Sequence, residues 1–206
     1  MQSGCGQRIR SVLVIMSTRL TETAHRFLEP VLTPGCVALD ATLGAGADTA
    51  FLAARVGPTG RVHAFDIQQA ALARAQQRLV EADLADRVVW HVACHSRLCD
   101  HVGADRFAAA AFNLGWLPGG SRDIVTRPDT TVAALAATAA RLAPGGRLSV
   151  LAYRAHAGGS DEAAAVARWV ERAEHGLEQC ACITSGSEAR PGPVFHGLTR
   201  PVGNPA

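Results

Sequence analysis

Apolar positions at Leu20, Ala24, Phe27, Leu28 and Val31 recur at helical spacing and predict an opening helix over about Thr18–Leu32. Pro34-Gly35 ends it. The next run, Cys36-Val-Ala-Leu-Asp40, is apolar without a break until its final acid, which is how a strand buried on both faces reads. A glycine loop follows, then a helix over Thr49–Val56 closed by Gly57-Pro58-Thr59-Gly60. Arg61–Asp66 repeats the strand-then-acid pattern, and Gln68–Ala82 carries Ala71, Leu72, Ala75 and Leu79 on one helical side. Arg87–Val92 and Arg106–Phe112 read as the third and fourth strands. An Ala-rich helix is expected over Thr130–Leu142, with one of Thr126, Thr130 and Thr131 as its N-cap and Pro144-Gly145-Gly146 as its stop. A fifth strand, Arg147–Tyr153, precedes a helix over Asp161–Glu174 that Gly176 terminates. Two strands near Gln179–Thr184 and Val194–Thr199 close the chain.

Strand–helix alternation of this kind implies an α/β fold in which a mostly parallel sheet is covered on both faces. The last two strands are joined too directly for a parallel crossover, so they form an antiparallel hairpin. The expectation is therefore one Rossmann-like domain with a seven-stranded sheet, five βα units and a C-terminal hairpin. A length of 206 residues suits a single domain, and no internal repeat or linker interrupts it. Before Met16 the apolar run Ser-Val-Leu-Val-Ile is too short for a membrane or signal segment. Residues 1–16 are accordingly expected to be a disordered extension, 17–206 the domain, and the protein cytoplasmic with no membrane partner.

Composition changes this picture little. Hydrophobic residues make up 48% of the chain and charged residues 18%, enough for a sizeable core. The net charge of +2 does not by itself announce a nucleic-acid partner, although all 20 basic residues are Arg, whose planar fork grips phosphate in a bidentate fashion. Six cysteines, at 5, 36, 94, 99, 180 and 182, contain no C-x-x-C pair, so reduced thiols are expected and no metal.

The chemistry begins at the loop Asp40-Ala-Thr-Leu-Gly-Ala-Gly-Ala-Asp48-Thr49. A glycine turn between a first strand and its helix brings backbone N–H groups to a ligand. Gly44 and Gly46 form only part of a G-x-G-x-x-G fingerprint, with Thr49 in place of the third glycine. Asp40, at the strand end, would repel a pyrophosphate but suits a ligand carrying a sulfonium and an ammonium. Asp66 ends the second strand, where a carboxylate binds both hydroxyls of a ribose. A nicotinamide dinucleotide would share Asp66 and find Asp40 awkward. S-adenosylmethionine fits both. After the third strand, Ala93-Cys94-His95-Ser96 occupies the place that borders an adenine ring, and His95 is able to stack on the base or bond to it.

The acceptor end follows the fourth strand, in Phe112-Asn113-Leu-Gly-Trp116-Leu-Pro118-Gly119-Gly120. An Asn followed three residues later by an aromatic is spaced like the N-P-P-Y motif of amine methyltransferases. The carbonyl of an Asn side chain accepts an amine hydrogen and so aims the lone pair, while an aromatic face steadies a base or a developing cation. Tyr153 and His156 follow the fifth strand on the same side, and His156 is expected to contact substrate or take up a proton.

Five blocks together carry a resemblance. D-A-T-x-G-x-G-x-D-T-x-F-L-A (Asp40–Ala53), A-F-D-I-Q (Ala64–Gln68), F-N-L-G-W-L-P-G-G (Phe112–Gly120), T-T (Thr130–Thr131) and Y-x-x-H-x-G-G (Tyr153–Gly159) are similar to a small bacterial family once labelled rRNA methylases. That family comprises class I tRNA methyltransferases acting on the 5-aminomethyl group of wobble 2-thiouridine, and the resemblance runs from about Ala24 to Leu198. It implies S-adenosylmethionine binding by Asp40, Ala41, Thr42, Gly44, Gly46, Asp48, Thr49, Asp66, Ile67, Gln68, Cys94, His95 and Asn113. It implies catalytic roles for Asn113, Trp116 and His156, and acceptor binding by Leu114, Gly115, Trp116, Pro118, Gly119, Arg127, Thr130, Tyr153, His156 and Gly158. The chain departs from the family where Trp116 replaces a usual Tyr, Ala93 a usual acid, and Arg154-Ala-His156-Ala157 a usual Pro-Gly-His-Pro.

The function so implied is N-methylation of a tRNA anticodon stem-loop, with Arg127, Arg154 and Arg190 as candidate phosphate contacts. The alternatives are the same chemistry on rRNA, protein or a small amine, or a non-catalytic donor-binding module. Monomer and homodimer both stay open.

Overall fold

The computed structural model describes residues 20–117, 124–172, 174–187 and 189–203. The expected extension at 1–16, with Met16, lies outside them, as do Pro118 and Gly119. Seven strands form one sheet: β1 (Val37–Asp40), β2 (Arg61–Asp66), β3 (Val88–Val92), β4 (Phe107–Leu114), β5 (Leu142–Ala152), β6 (Glu178–Gly186) and β7 (Pro191–Thr199). Their order is β3-β2-β1-β4-β5-β7-β6, with β1 to β5 parallel and β7 antiparallel to both β5 and β6. The expected sheet and terminal hairpin are thus both present.

Side-chain size divides the two faces. On one, Ala38, Ala64, Ala109 and Ala111 let the helices α2 (Ala47–Val56) and α3 (Gln69–Glu81) approach the strands closely. The other face carries Leu39, Phe65, Phe112, Leu148 and Val150 against α4 (Pro128–Arg141) and α5 (Gly159–Arg172). Each fully buried Leu or Phe there contributes roughly 1.5–3 kcal/mol. A further helix, α1 (Leu20–Leu28), extends the small-residue face over β5 and β7, where Ala24 meets Leu151 and Phe195.

Three local expectations change. β4 runs two residues beyond Phe112, so Asn113 and Leu114 belong to the strand itself. α4 starts at Pro128 with Arg127 as N-cap and no side-chain cap bond, because Thr126 and Thr131 spend their hydroxyls elsewhere. Pro144-Gly145-Gly146 does not stop that helix. It ends at Arg141, Leu142 is already extended, and the Pro-Gly-Gly stretch bulges within β5, where pairing jumps from Phe107↔Leu142 to Ala109↔Arg147. Unforeseen 3-10 turns occupy Glu29–Val31, Ala85–Arg87 and His95–Asp100. No helix among the described residues is long and apolar enough to cross a membrane.

Candidate active site

The strand order reverses between β1 and β4, and in open α/β sheets the crevice at that point, outside the carboxyl ends of the strands, receives ligands. A cavity of about 670 Å³ opens there. Of the residues expected to bind the cofactor, Ala41, Thr42, Gly44, Asp48, Asp66, Ile67, Gln68, Cys94 and His95 line it. Of those expected to handle the acceptor, Asn113, Leu114, Gly115, Trp116, Arg127, Thr130 and Tyr153 line it too. Pro118 and Gly119 lie outside the described residues.

Asp40 does not reach the cavity. It is fully buried beneath the loop, where its carboxylate accepts from the Thr42 amide at 3.1 Å and the Thr49 hydroxyl at 2.5 Å. Both residues therefore tie the loop to β1, and the charge expected to meet a sulfonium is withdrawn from the ligand. Burial, reinforced by Asp48 and Asp66, pushes the Asp40 carboxyl up to about 7 against the hydrogen bonds from Thr49 and Thr42. Below the ordinary carboxyl value of 3.8, folded and unfolded chains both hold this proton. From there to about 7 the unfolded chain releases it first, so folding loses stability as pH rises, and above 7 the full cost is present. Asp40→Asn, which keeps shape but carries no charge, is expected to raise the melting temperature at pH 8. The gain should shrink steadily toward pH 4; an equal shift at both pH values would contradict the assignment.

Gly46 is likewise structural. Its φ is +78°, and a Cβ there would lie 2.8 Å from the Ala75 Cβ on α3. Gly46→Ala is expected to lower the melting temperature by about 3–10 °C, from strain and overpacking of roughly 1–3 kcal/mol. An unchanged melting curve would show that the loop relaxes freely.

Asp66 stands at the cavity wall. Its Oδ2 accepts from the Gly44 amide at 3.0 Å and its Oδ1 from the Gln68 amide at 2.8 Å, leaving further lone pairs on both oxygens. His95 is buried, and its Nδ1 donates to the Ala41 carbonyl at 3.1 Å. Burial holds its pKa down, so the ring is neutral and Nε2 carries a lone pair. That Nε2 is buried without a hydrogen-bond partner.

On the acceptor side, the Asn113 amide N–H donates to the Thr42 hydroxyl at 2.7 Å, locking β4 to the loop after β1. The Asn113 side-chain NH2 donates to Asp48 Oδ2 at 3.3 Å, which leaves its carbonyl as the acceptor. Trp116 bridges to Val125, and the Thr126 amide donates to the Gly115 carbonyl at 3.1 Å, so the base of the intervening loop is fastened. Tyr153 lines the same wall, and burial together with the charge of Asp48 raises its phenol above its ordinary value.

His156 and Gly158 are not brought to the cavity. The His156 ring meets the Trp116 ring edge-on at 5.4 Å, and its Nε2 lies over the backbone of Gly115 and Gly159. It braces Trp116, and its Nε2 is buried without a hydrogen-bond partner. Gly158 immediately precedes α5, its carbonyl accepting the Glu162 amide at 3.0 Å. Arg154 also departs from expectation: its guanidinium donates to the carbonyls of Gly192 and Ser185 at 2.7 and 2.8 Å and fastens the β6–β7 hairpin.

Two residues escaped the sequence reading. Glu162 on α5 is buried, and its two oxygens accept from Thr126 and Thr131, each at 2.6 Å, on either side of Arg127. His25 on α1 bonds to Asp48 Oδ1 at 2.6 Å. An acid inside an apolar helical pattern was the signal for Glu162; nothing local pointed to His25. The described residues contain no cluster of three or more potential metal ligands.

A family model described as "Putative rRNA methylase" matches residues 62–195, more than half of the chain. An Arabidopsis thaliana protein named tRNA (mnm(5)s(2)U34)-methyltransferase, chloroplastic, is 38% identical over 153 residues. The match covers 70% of this chain but only 56% of that relative, so the chain spans little more than half of its length. A Clostridium thermocellum structure described as a "putative rRNA-methylase" superposes with a TM-score of 0.82 at 29% identity, covering 90% of this chain and 99% of the other. A Streptococcus mutans "putative methyltransferase" in complex with SAH gives 0.79 at 31% identity, covering 89% and 99%. With the fold and crevice described above, these matches place the chain in the "Putative rRNA methylase" family of S-adenosylmethionine-dependent methyltransferases.

Proposed function

We propose that the chain methylates the 5-aminomethyl group of wobble 2-thiouridine in tRNA, giving the 5-methylaminomethyl nucleoside. The observation that carries this reading is Asn113, whose NH2 end is turned to Asp48 so that its carbonyl is the end left to accept from an amine. The described residues fit S-adenosylmethionine. Asp66 offers lone pairs for a ribose diol, the orphaned Nε2 of His95 is an acceptor for an exocyclic purine amine, and Asp48 offers a carboxylate to an ammonium. The bound donor supplies an electrophilic methyl group on a sulfonium.

The chain's own part is positioning. A neutral amine must direct its lone pair along the axis of the breaking carbon–sulfur bond, and such alignment is worth roughly 7–11 kcal/mol. Asn113 orients the amine, while Trp116 and Tyr153 offer aromatic faces to a base and to the cation that forms. Arg127 at the cavity and the exposed Arg190 are the candidates for backbone phosphate. The name of the Arabidopsis thaliana relative supports this acceptor.

Mass spectrometry of tRNA nucleosides from a strain lacking the gene tests the proposal. The methylaminomethyl nucleoside should vanish and its aminomethyl precursor accumulate. Persistence of the methylated form, with no second enzyme making it, would defeat the assignment.

A further inference from the structure

Resting on the amine-acceptor function proposed above, we propose that His25, outside the cavity, is a positioning residue that sets which end of the Asn113 amide meets the acceptor. The Asp48 carboxylate has two oxygens in two different uses. Oδ1 takes the Nε2–H of His25 at 2.6 Å, and Oδ2 takes the Asn113 NH2 at 3.3 Å. A carboxylate only accepts, so it admits the NH2 end of an Asn and repels the carbonyl end. The orientation of Asn113 is therefore dictated by Asp48, and that of Asp48 by its neighbour on α1.

His25 is itself held firmly. Its ring stacks on Phe51 with centroids 3.8 Å apart and planes 7° from parallel. Arg55 lies 3.9 Å from the centre of the same Phe51 ring and is fixed by Glu29 through two bonds of 2.8 and 2.9 Å. Asp48 and Asn113 line the cavity and His25 does not. Without the donor at 25, Asp48 is free to change rotamer, and an Asn amide lacking its partner has little preference between its two ends. Asn113 then loses both its preferred end and its fixed position, so the aligned arrangement becomes a minor one.

Two substitutions separate this role from simple packing of α1 on α2. His25→Phe keeps a ring on Phe51 and loses the donor; His25→Gln keeps an N–H donor and loses the stack. The relay predicts that His25→Phe lowers kcat about tenfold or more, the usual scale for one charge-assisted hydrogen bond. His25→Gln should stay within about threefold of the parent in kcat, and in His25→Phe the affinity for SAH, whose ammonium also meets Asp48, should fall by clearly less than kcat does. A packing role predicts the reverse order and would overturn the proposal. Melting in the presence of SAH checks folding; should His25→Phe not fold, His25→Ala against His25→Gln carries the same contrast.

A readout independent of turnover is the side-chain amide NMR signal of Asn113. It should shift or broaden in His25→Phe and not in His25→Gln. If the parent protein methylates no aminomethyl-uridine tRNA while this signal still follows the donor at 25, the relay stands and the acceptor assignment falls. If the parent is active and the signal is indifferent to the donor at 25, the relay is wrong.

Discussion

Replacing Asn113 by alanine lowers the rate of methyl transfer by about 10²–10³-fold, the usual loss when one group that orients or stabilises the reacting atoms is removed. In the proposed function the Asn113 carbonyl is the acceptor that aims the amine, and the described residues around the cavity provide no second side-chain amide at that strand end. Affinity for SAH should change by no more than about threefold, because an interaction made with the acceptor lowers kcat without weakening the donor's binding. Single-turnover kinetics with calorimetry on SAH checks both quantities. A loss confined to SAH binding would move Asn113 from the acceptor to the donor.

The complementary substitution, Asp66→Ala, is expected to act on the donor. Two charge-assisted hydrogen bonds to a ribose diol, at roughly 1.5 kcal/mol or more each, correspond to about 10²-fold in affinity. The variant also strips the Gly44 and Gln68 amides of their acceptor, so the glycine loop loses the tie that shapes the cavity floor. SAH titration by calorimetry should show the loss while turnover at saturating donor falls far less. Near-parental SAH affinity would remove Asp66 from the cofactor site.

Much of this arrangement is legible in the sequence because parallel strands are apolar throughout and the chemistry sits where they stop. Val37–Asp40 and Arg61–Asp66 both announce themselves in this way, and both deliver an acid to the crevice end of the sheet. The two acids then diverge for a reason that no pattern shows. Asp40 is sealed under the loop by the Thr49 hydroxyl, nine positions away, whereas Asp66 keeps lone pairs toward the cavity. His156 follows the same logic. Its place after β5 suggested a proton acceptor, and the close approach to Gly115 and Gly159 that sets its ring edge-on to Trp116 has no local signal in the sequence.

Contacts between distant segments were beyond reach. His25 meets Asp48 because α1 folds back over the face that carries α2, and Glu162 meets Thr126 and Thr131 because α5 lies along α4. Both are polar residues on helices whose apolar positions alone reveal a packed face. The Pro-Gly-Gly stretch misled for a related reason: its turn chemistry is real, yet pairing with β4 and the bonds between Gly145, Gly146 and Arg200 absorb it into a strand.

Methyl transfer by the purified protein, offered in parallel to tRNA bearing 5-aminomethyl-2-thiouridine, to rRNA and to a protein fraction, tests the central claim most directly. The account predicts one methyl group on the aminomethyl nitrogen of the wobble nucleoside and none on the other fractions. Methylation of rRNA or protein with the tRNA nucleoside left unchanged would contradict it.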